Sequence, residues 1–196
     1  GGAGDDVLIG GAGTDTATFG AGNNTVNLNL TTGQDTGEGT DALSGIENLV
    51  GGDGDDALFG DAGNNQLDGG TGNDTLEGGA GNDTLNGGAG SDTAAFGAGN
   101  NTVNLNLTTG QDTGEGTDVL SGIENLVGGD GDDVLIGDTA DNQLDGGTGN
   151  DSLEGGAGND TLIGGAGTDT ATFGAGNNTV NLNLTTGQNT GEGTDV

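Results

Sequence analysis

The nine residues from Gly69 to Glu77, GGTGNDTLE, are followed at once by GGAGNDTLN from Gly78 to Asn86, and this spacing constrains the chain more than any other feature. With the positions of a unit numbered 1 to 9, glycine fills 1, 2 and 4, Asp74 and Asp83 fill position 6, and Leu76 and Leu85 fill position 8. Glycine bends through positive φ without a Cβ clash. Aspartate offers a hard oxygen donor. The last three residues can extend as a short strand with one aliphatic directed inward. Each unit therefore reads as turn, ligand and strand, and a succession of them predicts a rod rather than a globule.

Two units open the chain, with Asp6 and Asp15 at position 6. A 32-residue interval follows, Phe19 to Val50, and then five units carry Asp56, Asn65, Asp74, Asp83 and Asp92. The interval recurs from Phe96 to Val127, and five further units carry Asp133, Asn142, Asp151, Asp160 and Asp169 before a third interval starts at Phe173. Residues 19–95 and 96–172 are thus copies of one 77-residue repeat that differ at 10 positions, and 1–18 and 173–196 are partial copies. We expect one continuous solenoid over 1–196.

The interval keeps much of the pattern. FGAGNNTVN at its start and ALSGIENLV at its end are near-regular units, with 14 residues between them. Because Val26, Leu28 and Leu30 alternate, the expectation is a longer strand and then a five-residue insertion in the loop Thr31 to Thr40. On that count a repeat holds eight units, four coils of two units each, and the parity is even. One edge would then stack Asp56, Asp74 and Asp92, the loop with Asp112, Glu115 and Asp118, and Asp133. The other would stack Asn65, Asp83, Asn101, Glu124 and Asn142 and hold metal more weakly. Inward positions are expected at Leu8, Leu58, Leu67, Leu76, Leu85, Leu135, Leu144, Leu153 and Leu162, with Val26, Val103 and Val180. Phe19, Phe96 and Phe173 would fill the space beside the undersized Ala17, Ala94 and Ala171.

Composition sets the terms for stability. The chain has 50 glycines, four aromatic residues, no Lys, Arg, His or Cys, and a formal charge of −32. Ordering so much glycine costs more entropy than a thin core returns, and the carboxylates repel one another until cations bind. Metal is expected to replace the missing core. Nucleic acid is excluded as a partner because no basic patch can form. No apolar run approaches the ~20 residues of a membrane span and no leader-like segment opens the chain, so membrane insertion is not expected. A chain with no His, Cys, Lys or Tyr, in which each carboxylate pair recurs, is not expected to be an enzyme. Interrupted threonines at position 7 argue against an ice-binding face.

Strands ~4.8 Å apart allow carboxylates one coil apart to share an ion. A flexible all-oxygen shell suits calcium better than magnesium, and zinc would want His or Cys. Aspartates are also common in turns for local hydrogen bonding, but ten of them in register, Asp6, Asp15, Asp56, Asp74, Asp83, Asp92, Asp133, Asp151, Asp160 and Asp169, favour calcium.

The pattern resembles the RTX, or haemolysin-type calcium-binding, nonapeptide family. The resemblance covers the units fully and the intervals in part, since stretches similar to GTDxLSGIENLxGG often join such blocks. It implies an all-β, right-handed parallel β-roll with two units per coil, about ten coils on the order of 50 Å long. It also implies calcium between same-edge turns, held by turn carbonyls and by Asp56, Asp74, Asp92, Asp133, Asp151 and Asp169. Asp83 and Asp160 match the motif beside asparagine neighbours, and Asn65 and Asn142 depart from it. The functional expectation is a calcium-rigidified extension segment of a secreted or cell-surface bacterial protein, such as an adhesin stalk, surface layer or filament, or else the folding and secretion module of an exported enzyme or toxin. Rods of this kind can associate side by side or end to end.

Overall fold

A computed structural model of the chain describes residues 1–181. The remainder of the third interval lies outside them. Among the described residues every regular element is a strand, and most span three residues, because only positions 7 to 9 of a unit escape the turn. Successive units alternate between two sides of a parallel β-roll. One side is an eight-stranded sheet running from Thr25–Asn27 through Ala57–Phe59, Thr75–Glu77, Thr93–Ala95, Asn125–Val127, Gln143–Asp145 and Thr161–Ile163 to Thr179–Asn181. The opposite side carries Thr16–Thr18, Asn48–Asp53, Gln66–Thr71, Thr84–Ala89 and Thr117–Ser121, followed by the short strand Gln111–Asp112. Beyond it stand Thr102–Asn104, Val134–Ile136, Ser152–Glu154 and Thr170–Thr172.

The register is in step. Leu58 pairs with Leu76, Leu76 with Ala94 and Ala94 with Leu126 on one side, while Leu49, Leu67 and Leu85 line up on the other. These position-8 side chains form one buried cluster between the sheets. Phe19 and Phe96 are buried within it beside Ala17 and Ala94, as their spacing predicted. Leu8, Val180 and Phe173 are partly buried against it. Leu43 and Leu49, expected inward after the loop, belong to this core with their second-copy equivalents Leu120 and Leu126, and so do Ile46 and Ile123, which the sequence pattern did not single out.

Glycine at positions 2 and 4 is required twice over. Gly70 and Gly72 have φ of 106° and 129°, and a Cβ on either would strike the carbonyl of Gly52 or Gly54 in the preceding layer. The turns therefore stack backbone on backbone.

The interval departs from expectation. The longer strand expected through Leu30 does not form: it ends at Asn27, Leu30 is exposed, and of the two leucines that follow only Leu28 packs on the core. The chain doubles back as an antiparallel pair, Gln34–Asp35 with Thr40–Ser44, and in the second copy Gln111–Asp112 with Thr117–Ser121. The returning strand joins the preceding layer of the same side, so Leu85 pairs with Leu120 and not with Val103. The hairpin adds no half-turn. A 77-residue copy therefore contributes seven half-coils instead of eight, and the even parity is wrong. Glu124 stacks on Asp92, and Asp133 stacks on Asn101 on the opposite edge. The physical reason is that Gln34 and Thr36, polar residues that resemble loop, point inward: Gln34 bonds the backbone of Asn27 through both its oxygen and its nitrogen, and Thr36 donates its hydroxyl to the buried Asp41.

Candidate metal centre

The turn brings each position-6 side chain beneath its own glycines, and two ladders run along each edge. In the first, the backbone N–H of one position-6 residue donates to the carboxylate of the next layer: Asn24 to Asp56 Oδ1 at 2.7 Å, Asp56 to Asp74 at 2.8 Å, and Asp74 to Asp92 at 2.8 Å. The other edge repeats this from Asn101 to Asp133 at 2.7 Å, Asp133 to Asp151 at 2.9 Å, and Asp151 to Asp169 at 3.1 Å. Glu47 and Glu124 continue the ladders by accepting from the N–H of Asp15 and Asp92.

The second ladder belongs to position 5 and was not anticipated. Asp55 N–H donates to Asn23 Oδ1, Asn73 N–H to Asp55 Oδ1, and Ser91 N–H to Asn73 Oδ1, in the opposite direction to the first. The signal was present, since position 5 of each nonapeptide is Asp, Asn, Ser or Thr.

One oxygen of the first ladder has no use within the protein. In all ten predicted aspartates, Asp6, Asp15, Asp56, Asp74, Asp83, Asp92, Asp133, Asp151, Asp160 and Asp169, Oδ2 is buried without a hydrogen-bond partner. It lies against the first glycine of its unit. A Cβ on Gly51 would collide with Asp56 Oδ2 and come within 2.7 Å of the Gly69 carbonyl oxygen of the next layer, and Gly69 stands in the same relation to Asp74 and Gly87. A carboxylate oxygen and a backbone carbonyl oxygen thus converge on one cradle.

Asparagine at the same position behaves differently. Asn65 Oδ1 accepts the N–H of Asp61 at 2.8 Å and its Nδ2 donates to the Glu47 carbonyl at 2.9 Å. Asn142 repeats this with Asp138 and Glu124. These units are complete without a cation. So are the hairpin carboxylates Asp41 and Asp118, whose two oxygens take a backbone N–H and a threonine hydroxyl.

The corrected phase redistributes the aspartates. Asp6, Asp56, Asp74, Asp92 and Asp160 share one edge, and Asp15, Asp83, Asp133, Asp151 and Asp169 the other. Neither edge is the emptier one; each holds one unbroken run of three. The loop residues Asp112 and Glu115 were expected on the carboxylate edge, but they serve the hairpin, accepting the N–H of Gly114 and of Gly97.

Burial pushes the Asp56, Asp83 and Asp151 carboxyls up to about 6; the hydrogen bond each accepts pulls the other way, and neighbouring carboxylates such as Asp74 beside Asp56 add to the rise. Asp74, Asp92, Asp133 and Asp160 are raised in the same way, as is Glu115. Leaving a buried acceptor unpaired costs ~1–3 kcal/mol, more when it is charged. Ten such oxygens together match or outweigh the ~5–15 kcal/mol of a domain's net stability. With no basic side chain in the sequence, an external cation is what can offset them. The donors are hard oxygens, which fits calcium. Among the described residues no three carboxylates converge, so such a site draws on aspartates together with turn carbonyls.

A family model for the RTX calcium-binding nonapeptide repeat matches residues 1–26, 41–76, 68–103, 112–153 and 145–180. The chain belongs to the RTX family. Its units are RTX calcium-binding repeats, and the β-roll is the architecture such repeats build. The matches to this RTX chain skip most of the first hairpin, where the ladder is satisfied by its own side chains. No curated protein matches the chain. Among the described residues of the RTX segment, no helix is long and apolar enough to cross a membrane.

Proposed function

We propose that this RTX segment is a calcium-dependent structural extension of a secreted or cell-surface bacterial protein, a stalk, surface layer or filament element that becomes stiff outside the cell. The observation that carries the reading is the set of ten buried Oδ2 atoms without partners. Bound calcium supplies the positive charge that these carboxylates lack. Asp56, Asp74 and Asp92 on one edge and Asp133, Asp151 and Asp169 on the other would hold it, with the first-glycine carbonyls beside them. The chain's own part is to set each Oδ1 on the neighbouring layer and leave Oδ2 free.

The near-identity of the two 77-residue copies supports a length-setting role, because a rod tolerates duplication where a folded catalytic site does not. We assign no catalysis to these residues. Low cytosolic calcium would keep the chain unfolded for export, and extracellular calcium would fold it. Far-UV circular dichroism tests this: a coil spectrum in chelator should become a β spectrum on adding millimolar calcium. A β spectrum that persists unchanged in excess chelator at neutral pH refutes it.

A further inference from the structure

One flank of the returning strand is open in both intervals. Thr40–Ser44 lies on Val7–Ile9, and there the N–H of Ala42 donates to the Asp6 carbonyl while the carbonyl of Ser44 accepts from Gly10. The backbone groups of successive strand residues face opposite flanks, so those of Leu43 face away from that neighbour. On the far flank the short strand Gln34–Asp35 covers only Asp41 and Thr40, and among the described residues none pairs with Leu43 there. Leu120 stands in the same position, between Thr84–Ala89 and the short strand Gln111–Asp112. A sheet flank with unpaired N–H and C=O groups is a template for another strand.

Leu43 and Leu120 each line a pocket, of about 200 Å³ in the first interval and about 260 Å³ in the second. That is below the ~300–1,000 Å³ of a site for a drug-sized ligand and nearer the size of a single residue. In the first interval Leu28, Leu43 and Ile46 supply apolar walls, and Glu47 and Asp61 also line the pocket. Leu105, Leu120, Ile123, Glu124 and Asp138 repeat the arrangement. One oxygen of each carboxylate accepts a backbone N–H, from Asp15 to Glu47 and from Gly63 to Asp61, and the negative charge remains. The chain has no lysine or arginine to answer it. Between Leu28 and the lining Thr31 stands Leu30, an exposed large apolar side chain, as Leu107 is in the second interval.

We propose that each interval carries a docking slot for a short extended segment of a partner protein that bears a lysine. The backbone of the segment pairs with Leu43 or Leu120 by strand addition. The aliphatic stem of the lysine packs on the apolar walls, and its ammonium meets the acidic residues. Shape, open backbone groups and charge thus call for one kind of occupant, and they do so in both copies. The slot concerns a partner, and it does not depend on which ions the aspartate ladders hold.

The test uses the full chain labelled with nitrogen-15 and folded in millimolar calcium, with two probes. One is lysine capped as its N-acetyl methylamide; the other is norleucine capped in the same way, which keeps the stem and loses the ammonium. Capped lysine should shift the amide signals of Leu43 and Leu120, and capped norleucine should need about fivefold more for the same shift. Asp61→Asn combined with Asp138→Asn should narrow that preference, because asparagine keeps the oxygen that accepts the Gly63 or Ala140 N–H and removes the charge. No shift at the two leucine amides with either probe overturns the proposal. So do equal responses to the two probes, or shifts spread over the acidic surface without a focus on the slots. The two probes on the parent chain decide the matter whether or not the double variant folds.

Discussion

The backbone N–H of Asp92 donates to Glu124 Oε2 at 2.8 Å across a gap of 32 residues, and the two residues lie on one edge in adjacent layers. Everything between them, a further unit and a hairpin, is accommodated on the other side of the roll. This single contact fixes the phase of the second copy relative to the first.

Asp74 and Asp151 are consequently equivalent residues on opposite edges, each the centre of a run of three aspartates. Asp74→Asn and Asp151→Asn should each raise the calcium concentration needed for half-folding by a similar factor, on the order of tenfold, because one of the charges that offset the ion's desolvation is lost. The double variant should show the sum of the two effects, since the sites share no partner. Calcium titrations followed by circular dichroism measure both. A large difference between the single variants would mean that the edges are not equivalent.

Gly72 and Gly63 make a matched pair for the backbone. Gly72 has φ of 129° and lies against the Gly54 carbonyl, whereas the φ of Gly63 is outside the left-handed region and its counterpart in the second copy is Ala140. Gly72→Ala should cost at least the ~1–3 kcal/mol of a strained backbone. Gly63→Ala should stay within about 0.5 kcal/mol of the parent, as is usual for a surface exchange. Urea unfolding in saturating calcium separates the two.

The raised carboxyls predict an acid effect of definite sign. In the calcium-free fold Asp56, Asp83 and Asp151 titrate at about 6, against 3.8 for a free aspartate. The folded chain therefore takes up more protons than the unfolded one between these values. The stabilisation from protonation is complete below pH 3.8 and is lost as the pH rises through about 6. Calcium-free chain, prepared by exhaustive dialysis, should gain β structure on going from pH 7 to pH 4. In the presence of calcium the same acidification should release ions, because protons compete for the same oxygens. A coil spectrum at both pH values without calcium would contradict the first expectation.

Thr113 supplies the hydroxyl that satisfies one oxygen of the buried Asp118. Thr113→Val keeps the shape and removes the donor, and should cost ~1–3 kcal/mol for the acceptor left unpaired. Because the hairpin carboxylate is not an expected calcium ligand, the loss should appear in thermal unfolding at saturating calcium while the number of bound ions stays the same.

Two features were legible in the residues themselves: Leu at position 8 as core and Asp at position 6 as the oxygen lining. Both repeat at fixed offsets and have one physical reason each, burial and charge. The ladder at position 5 was harder to see because Asp, Asn, Ser and Thr share an acceptor oxygen but little else, so four residue types hide one role. The phase was not legible because it depends on whether 14 residues advance or return. Leu28 and Leu30 mimic a continuing strand, while the residues that build the return, Gln34 and Thr36, are polar and satisfied by backbone and carboxylate, which periodicity of apolar residues cannot register.

An odd number of half-coils per copy has a consequence for how such a rod can grow. Each added copy starts on the side opposite to its predecessor, so neighbours present their aspartate runs alternately left and right, and two copies are needed before the same view returns. A binding patch carried on the outer face of each copy would face a given side of the rod only at every second copy. Duplication of a single copy would thus mirror the sidedness of everything downstream, whereas duplication of a pair would leave it unchanged.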